Sequence, residues 1–170
     1  MERTMNQFCT FTLAGHLFGI DVGEVQEVVL PQEMTRVPLA PRIVRGLINL
    51  RGQIVMAIDL RACLSLPARP ADEQPINLVV RSEHGAVSFL IDEIRDVVTV
   101  DGQQFEPTPD TVRGAVREVL RGVYKLEGRL LLVLDKEKAL ATGASVPHAR
   151  GGRDAARNHA TPVTAAAGEH

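Results

Sequence analysis

Ile43-Val44-Arg45-Gly46-Leu47-Ile48-Asn49-Leu50-Arg51-Gly52-Gln53-Ile54-Val55-Met56-Ala57-Ile58-Asp59 aligns without a gap with Val119-Leu120-Arg121-Gly122-Val123-Tyr124-Lys125-Leu126-Glu127-Gly128-Arg129-Leu130-Leu131-Leu132-Val133-Leu134-Asp135, at a constant offset of 76 positions. Arg, Gly, Leu, Gly and Asp recur in register. Each block reads as a strand, a tight turn and a second strand, with Gly52 and Gly128 supplying the positive φ such a turn needs. A second likeness lies upstream. Phe18-Gly19-Ile20-Asp21 resembles Phe89-Leu90-Ile91-Asp92, and Glu24–Val29 resembles Glu93–Val98 after a two-residue deletion. Proline-marked loops follow in both halves, at Pro38 and Pro41 and at Pro107 and Pro109. The same order of elements occurs twice, which implies two similar β-barrel subdomains from a duplication.

The segments outside the repeat core agree with a mainly β chain. Cys9, Phe11 and Leu13 alternate with Phe8, Thr10 and Thr12, and Phe18, Ile20 and Val22 share one face. Ile76–Arg81, Ala86–Ile91 and Arg95–Val100 are further short apolar runs bounded by turn residues. Asp59 and Asp135 end strands and are placed to cap short helices over Leu60–Leu64 and Lys136–Leu140. A third short helix fits within 110–120, weakened by Gly114. Leu66–Pro75, with three prolines, reads as an exposed linker. These boundaries give one domain over 7–142, with a first barrel mainly at about 15–66 and a second mainly at about 76–142. The strand at Phe8–Leu13 is assigned to neither, and residues 146–170 read as a disordered tail.

Composition removes several classes of function. The net charge of −2 offers no general attraction to nucleic acid, and six Phe and Tyr with no Trp supply few stacking platforms. No apolar run approaches the roughly 18–20 residues of a membrane span, and Met1–Asn6 lacks the apolar core of a secretion signal. The cytoplasm is the expected compartment, with Cys9 and Cys63 reduced and buried.

The residues of catalysis are scattered rather than assembled. Ser65, Ser82, Ser88 and Ser145 stand outside any GxSxG, and His16 and His84 sit in turns. No phosphate-binding glycine loop and no metal-ligand spacing occurs. The carboxylate pairs Glu24/Glu27 and Glu93/Asp96, at i, i+3 spacing, suit one helical face and read as a solvated surface beside buried valines. No catalytic residue, metal or cofactor is therefore assigned. An asymmetry within the repeat remains, since the first hairpin tip carries Arg51 where the second carries Glu127. A guanidinium on a rigid turn suits bidentate pairing with a partner carboxylate.

Phe11-Thr12-Leu13, Phe18-Gly19-Ile20-Asp21, Val25-Gln26-Glu27-Val28, Pro38-Leu39-Ala40-Pro41, Gly46-Leu47-Ile48-Asn49-Leu50-Arg51-Gly52 and Ile58-Asp59-Leu60-Arg61 resemble the CheW family in order and spacing. Ile91-Asp92-Glu93-Ile94, Pro107-Thr108-Pro109, Arg121-Gly122-Val123 and Leu134-Asp135 continue the resemblance to about residue 142. It implies two SH3-like five-stranded barrels sharing a hydrophobic core, with short helices and no enzymatic activity. It also implies two partners: the regulatory domain of a CheA-type histidine kinase, and the cytoplasmic tip of methyl-accepting chemoreceptors, held in arrays under the inner membrane. Carried over by position, Val25, Glu27 and Arg51 match receptor-contact places, and Gly46 with its neighbours Leu47 and Val28 matches a region tied to the kinase. Phe18 stands where Tyr is common, and Met56 where Pro is frequent. The rival readings are a similar adaptor of a surface-sensing or pilus-motility pathway and, more remotely, a small β-barrel nucleic-acid binder.

Overall fold

The computed structural model describes residues 3–144, and the expected tail at 146–170 lies outside them. The strands are β1 (Met5–Leu13), β2 (His16–Asp21), β3 (Val25–Val29), β4 (Val44–Leu50), β5 (Gln53–Asp59), β6 (Ile76–Ser82), β7 (Gly85–Ile91), β8 (Glu93–Asp101), β9 (Phe105–Glu106), β10 (Leu120–Leu126) and β11 (Arg129–Leu134). The helices are α1 (Leu60–Cys63), α2 (Ala115–Val119) and α3 (Lys136–Ala144). Val22, expected to extend β2, instead opens a single 3₁₀ turn, Val22–Glu24, which Asp21 caps by accepting the Gly23 N–H.

The strands form two sheets, in the orders β3-β6-β7-β5-β4 and β8-β1-β2-β11-β10-β9. They are the sheets of two SH3-like barrels, the second lengthened by the two-residue β9. The expected division, mainly about 15–66 and mainly about 76–142, leaves out an exchange between the halves. The hairpin β1–β2 of the first repeat pairs with β8 and β11 of the second, while the hairpin β6–β7 of the second repeat pairs with β3 and β5 of the first. The two repeats have exchanged hairpins, so each barrel draws on both. The chain crosses between barrels after β2 and again after β7, at the repeat-equivalent residues Asp21 and Asp92. A sequence repeat reveals the order of elements but not their pairing partners, and strands adjacent in sequence pair often enough to make the simpler division the natural expectation.

This exchange explains why the central strands are apolar on both faces. Cys9, Phe11 and Leu13 of β1 and Phe18 and Ile20 of β2 face a core shared with Leu78 and Val80 of β6 and Phe89 and Ile91 of β7. Phe8 and Leu17 point the other way, into the barrel that also contains Tyr124, Leu131 and Val133. Leu90 does the same for the barrel of Ile48, Val55 and Ala57. Successive strand residues point to opposite sides, so each exchanged hairpin fills one barrel with one face and seals the barrel–barrel contact with the other.

The duplication is visible at the level of single bonds. Asp59 N–H donates to the Ile43 carbonyl and Asp135 N–H to that of Val119, both at 2.8 Å. Both repeat hairpins bulge at the same place, between Val44 and Gly46 and between Leu120 and Gly122. A Cβ on Gly46 would lie 2.6 Å from the Thr35 carbonyl oxygen, and one on Gly122 2.6 Å from that of Glu106. Each glycine therefore lets a neighbouring strand close on its hairpin. Asp59 and Asp135 cap the helices as expected, accepting from Arg61 N–H at 3.0 Å and from Lys138 N–H at 3.1 Å.

Two further expectations change. Glu24 lies in the 3₁₀ turn and Glu27 on β3, while Glu93 and Asp96 lie on β8, so neither carboxylate pair shares a helical face. The linker is not wholly exposed either, because Arg69 folds inward and leaves only 6% of its side chain accessible.

Candidate interaction surface

The six residues singled out in the sequence lie on the two edge strands of the five-stranded sheet and the turn that follows one of them. Val25, Glu27 and Val28 are on β3, Gly46 and Leu47 on β4, and Arg51 is at the β4–β5 turn. Arg51 and Gly52 have φ of 53° and 87°, the pair of positive values of a type I′ hairpin turn. Asn49 Oδ1 accepts the Gly52 N–H at 2.9 Å and fixes the turn.

Arg51 does not extend freely into solvent as the turn chemistry alone suggests. Its Nη2 donates to Glu27 Oε2 at 2.9 Å, joining the two edges of the sheet across the open side of the barrel. Glu27 is the better covered partner, with 22% of its side chain accessible against 84% for Arg51. Ion pairs this exposed contribute about 0–1 kcal/mol, so a partner can exchange with either charge at little cost.

The valines separate in role. Val25 is partly buried and packs on the shared core, whereas Val28 is exposed. Gly46 and Leu47 face opposite sides of β4. Gly46 is buried beneath Thr35, whose backbone bridges Leu47 with hydrogen bonds of 2.9 and 2.8 Å. Leu47 pairs with Met56 across the hairpin, and the next outward pair is Asn49 with Ile54. Ile54 and Met56 are exposed, giving the hairpin an apolar outer face ending at the Arg51 tip.

Among the exposed apolar positions that the sequence did not mark are Leu30, Leu39 and Ile54. Leu30 follows β3 and is well exposed. Leu39, between Pro38 and Ala40-Pro41, is fully exposed and adopts φ 60°, a conformation that costs a non-glycine residue roughly 1–2 kcal/mol. Ile54 belongs to the repeat, but its outward direction follows only from the bulge and register of the hairpin. A leucine framed by prolines was the available signal for Leu39.

Among the described residues, no group of three or more His, Cys, Asp or Glu side chains is placed to hold a metal ion, and no helix is long and apolar enough to cross a membrane. Cys9 and Cys63 are free and buried, and burial pushes both thiols up from their ordinary value.

Two SH3-like barrels joined by exchanged hairpins, with an apolar hairpin face and an ion-paired tip, define a class of double-barrel β protein. The family model for the CheW-like domain matches residues 7–143, and the chain belongs to that family. It is 32% identical over 141 residues to chemotaxis protein CheW of Klebsiella aerogenes, covering 83% of this chain and 85% of that one. It is 30% identical over 138 residues to chemotaxis protein CheW of Bacillus subtilis, covering 81% and 88%. The crystal structure of scaffolding protein TtCheW from Thermoanaerobacter tengcongensis superposes with a TM-score of 0.70 at 26% identity, covering 77% of this chain and 89% of that one.

Proposed function

We propose that this chain is a non-catalytic adaptor that couples chemoreceptors to a CheA-type histidine kinase. The observation that carries the reading is the meeting of Glu27, on one sheet edge, with Arg51, on the hairpin at the other. Two residues 24 positions apart, both matching receptor-contact places of the family, form one exposed, exchangeable ion pair. Beside it Val28 and the Leu47, Ile54 and Met56 face supply apolar area of the kind protein partners cover. Val25, Glu27 and Arg51 are assigned to the receptor tip, and Gly46, Leu47 and Val28 to the kinase regulatory domain. Gly46 acts by admitting Thr35 rather than by touching a partner. Binding at two places on one body holds the two partners in a fixed relation to each other. The expected location is the cytoplasmic face of the inner membrane, in receptor arrays.

The test is titration calorimetry of the purified protein against a receptor-tip fragment and, separately, the kinase regulatory domain, each from the same organism. Both are expected to bind the wild-type protein, and Arg51→Glu is expected to weaken the receptor fragment alone. Equal loss for both partners would overturn the assignment of faces, and no binding by the wild type would overturn the adaptor reading.

A further inference from the structure

Asp92 occupies the corner where the chain leaves β7 of one barrel and enters β8 of the other. Its carboxylate gathers three separate parts of the molecule. It accepts the Ala14 N–H at 2.8 Å, from the β1–β2 turn. It accepts from Arg61 on α1 through Nε at 2.9 Å and through Nη2. It accepts from Arg69 of the linker through Nε at 3.0 Å and Nη2 at 2.8 Å. Arg61 also donates through Nη1 to the Pro67 carbonyl at 3.0 Å, tying the linker a second time. The three side chains are nearly enclosed, with 9%, 13% and 6% accessible for Arg61, Asp92 and Arg69.

The equivalent crossover is built differently. Asp21 accepts the Gly23 N–H and, among the described residues, makes no ion pair. Nearby, Lys136 Nζ stands 3.8 Å from Glu24 Oε1, while Glu24 Oε2 is buried without a hydrogen bond. The barrels are clasped firmly at one crossover and loosely at the other. Beside the clasp lies a cleft of about 1040 Å³ walled by Leu17, Arg61, Arg69, Asp92, Leu130 and Leu132, so side-chain packing does not wedge the barrels apart there. The core they share is apolar, and apolar contact is non-directional. Bidentate guanidinium–carboxylate bonds, by contrast, fix both distance and angle.

We propose that Asp92 is a positioning residue for the two-barrel body: its clasp sets the angle between the two barrels.

The experiment uses the full chain with spin labels on Arg45→Cys and Arg121→Cys, exposed repeat-equivalent positions on the two barrels, the native cysteines being buried. Pulsed dipolar spectroscopy is expected to give a narrow inter-barrel distance distribution in the parent protein. Asp92→Asn is expected to broaden it at least about twofold with an unchanged circular dichroism spectrum. An unchanged width in a folded Asp92→Asn protein would overturn the proposal. Should that variant not fold, Arg69→Gln, which leaves Arg61 and Ala14 on the carboxylate, decides by the same reading.

Discussion

Arg51 and Glu27 show how far single residues were legible. The exposure of Arg51 followed from its place beside Gly52 in a hairpin turn, and its φ of 53° agrees with that turn. Its bond to Glu27 was not legible, because it spans two sheet edges whose closure depends on strands far away in sequence. Arg51→Glu is expected to change unfolding free energy by less than about 1 kcal/mol in a urea titration, as for other exposed ion pairs. Gly46→Ala should behave oppositely, since its Cβ would press on the Thr35 carbonyl oxygen at 2.6 Å. A loss of about 1–3 kcal/mol in the same titration is expected from such overpacking. Asp92 carries a pH signature. Burial alone pushes its carboxyl up, but the bonds from Arg61, the Ala14 N–H and Arg69 outweigh burial and hold it below the ordinary 3.8. A carboxylate depressed by folding stabilises the native state above its unfolded value and loses that contribution as pH falls through its folded value. Thermal melts taken downward from pH 5 should therefore show a steeper fall below about pH 4 for the wild type than for Asp92→Asn. The importance of Asp92 was hidden in the sequence because its partners Arg61 and Arg69 lie 31 and 23 positions away, one of them in a linker whose prolines suggested exposure.

Elements were more legible than their pairing. Strand periodicity marked the runs that became β1, β2 and β6 to β8, the repeat marked the hairpins β4–β5 and β10–β11, and two aspartates marked α1 and α3, because each signal is local. The two-residue β9 carried too little pattern to detect, and β3 was not marked as a strand, because the i, i+3 spacing of Glu24 and Glu27 suits a helical face and a bulge lies between Val25 and Glu27. The hairpin exchange left no local mark at all. It nevertheless makes a strong expectation at this scale. Each sheet needs strands from both sides of the linker, so the pieces on either side are complements. Inserting a protease site after Pro70 in the full chain and cutting it should leave both pieces associated, co-eluting at the mass of the intact protein. Melting of the cut protein should become concentration-dependent, as for any folded state held by association. Two separate folded pieces would contradict the exchange.

At the scale of the molecule, the shared core and the two crossovers make one body from two barrels, and all six candidate contact residues fall at the two edges of one of them. That arrangement leaves the six-stranded barrel, with Glu127 at the tip equivalent to Arg51, as a surface of different charge. Partners that read charge at their rims will distinguish the barrels despite their common ancestry. On the proposed function, this body lets receptors govern a kinase. The most direct measurement is kinase autophosphorylation in receptor-bearing membranes from the same organism, with and without the purified chain. The phosphorylation rate is expected to rise on adding the chain, to change on adding the receptor's ligand, and to lose both responses with Arg51→Glu. A rate that is the same with and without the chain, at concentrations where both partners are present, would contradict it.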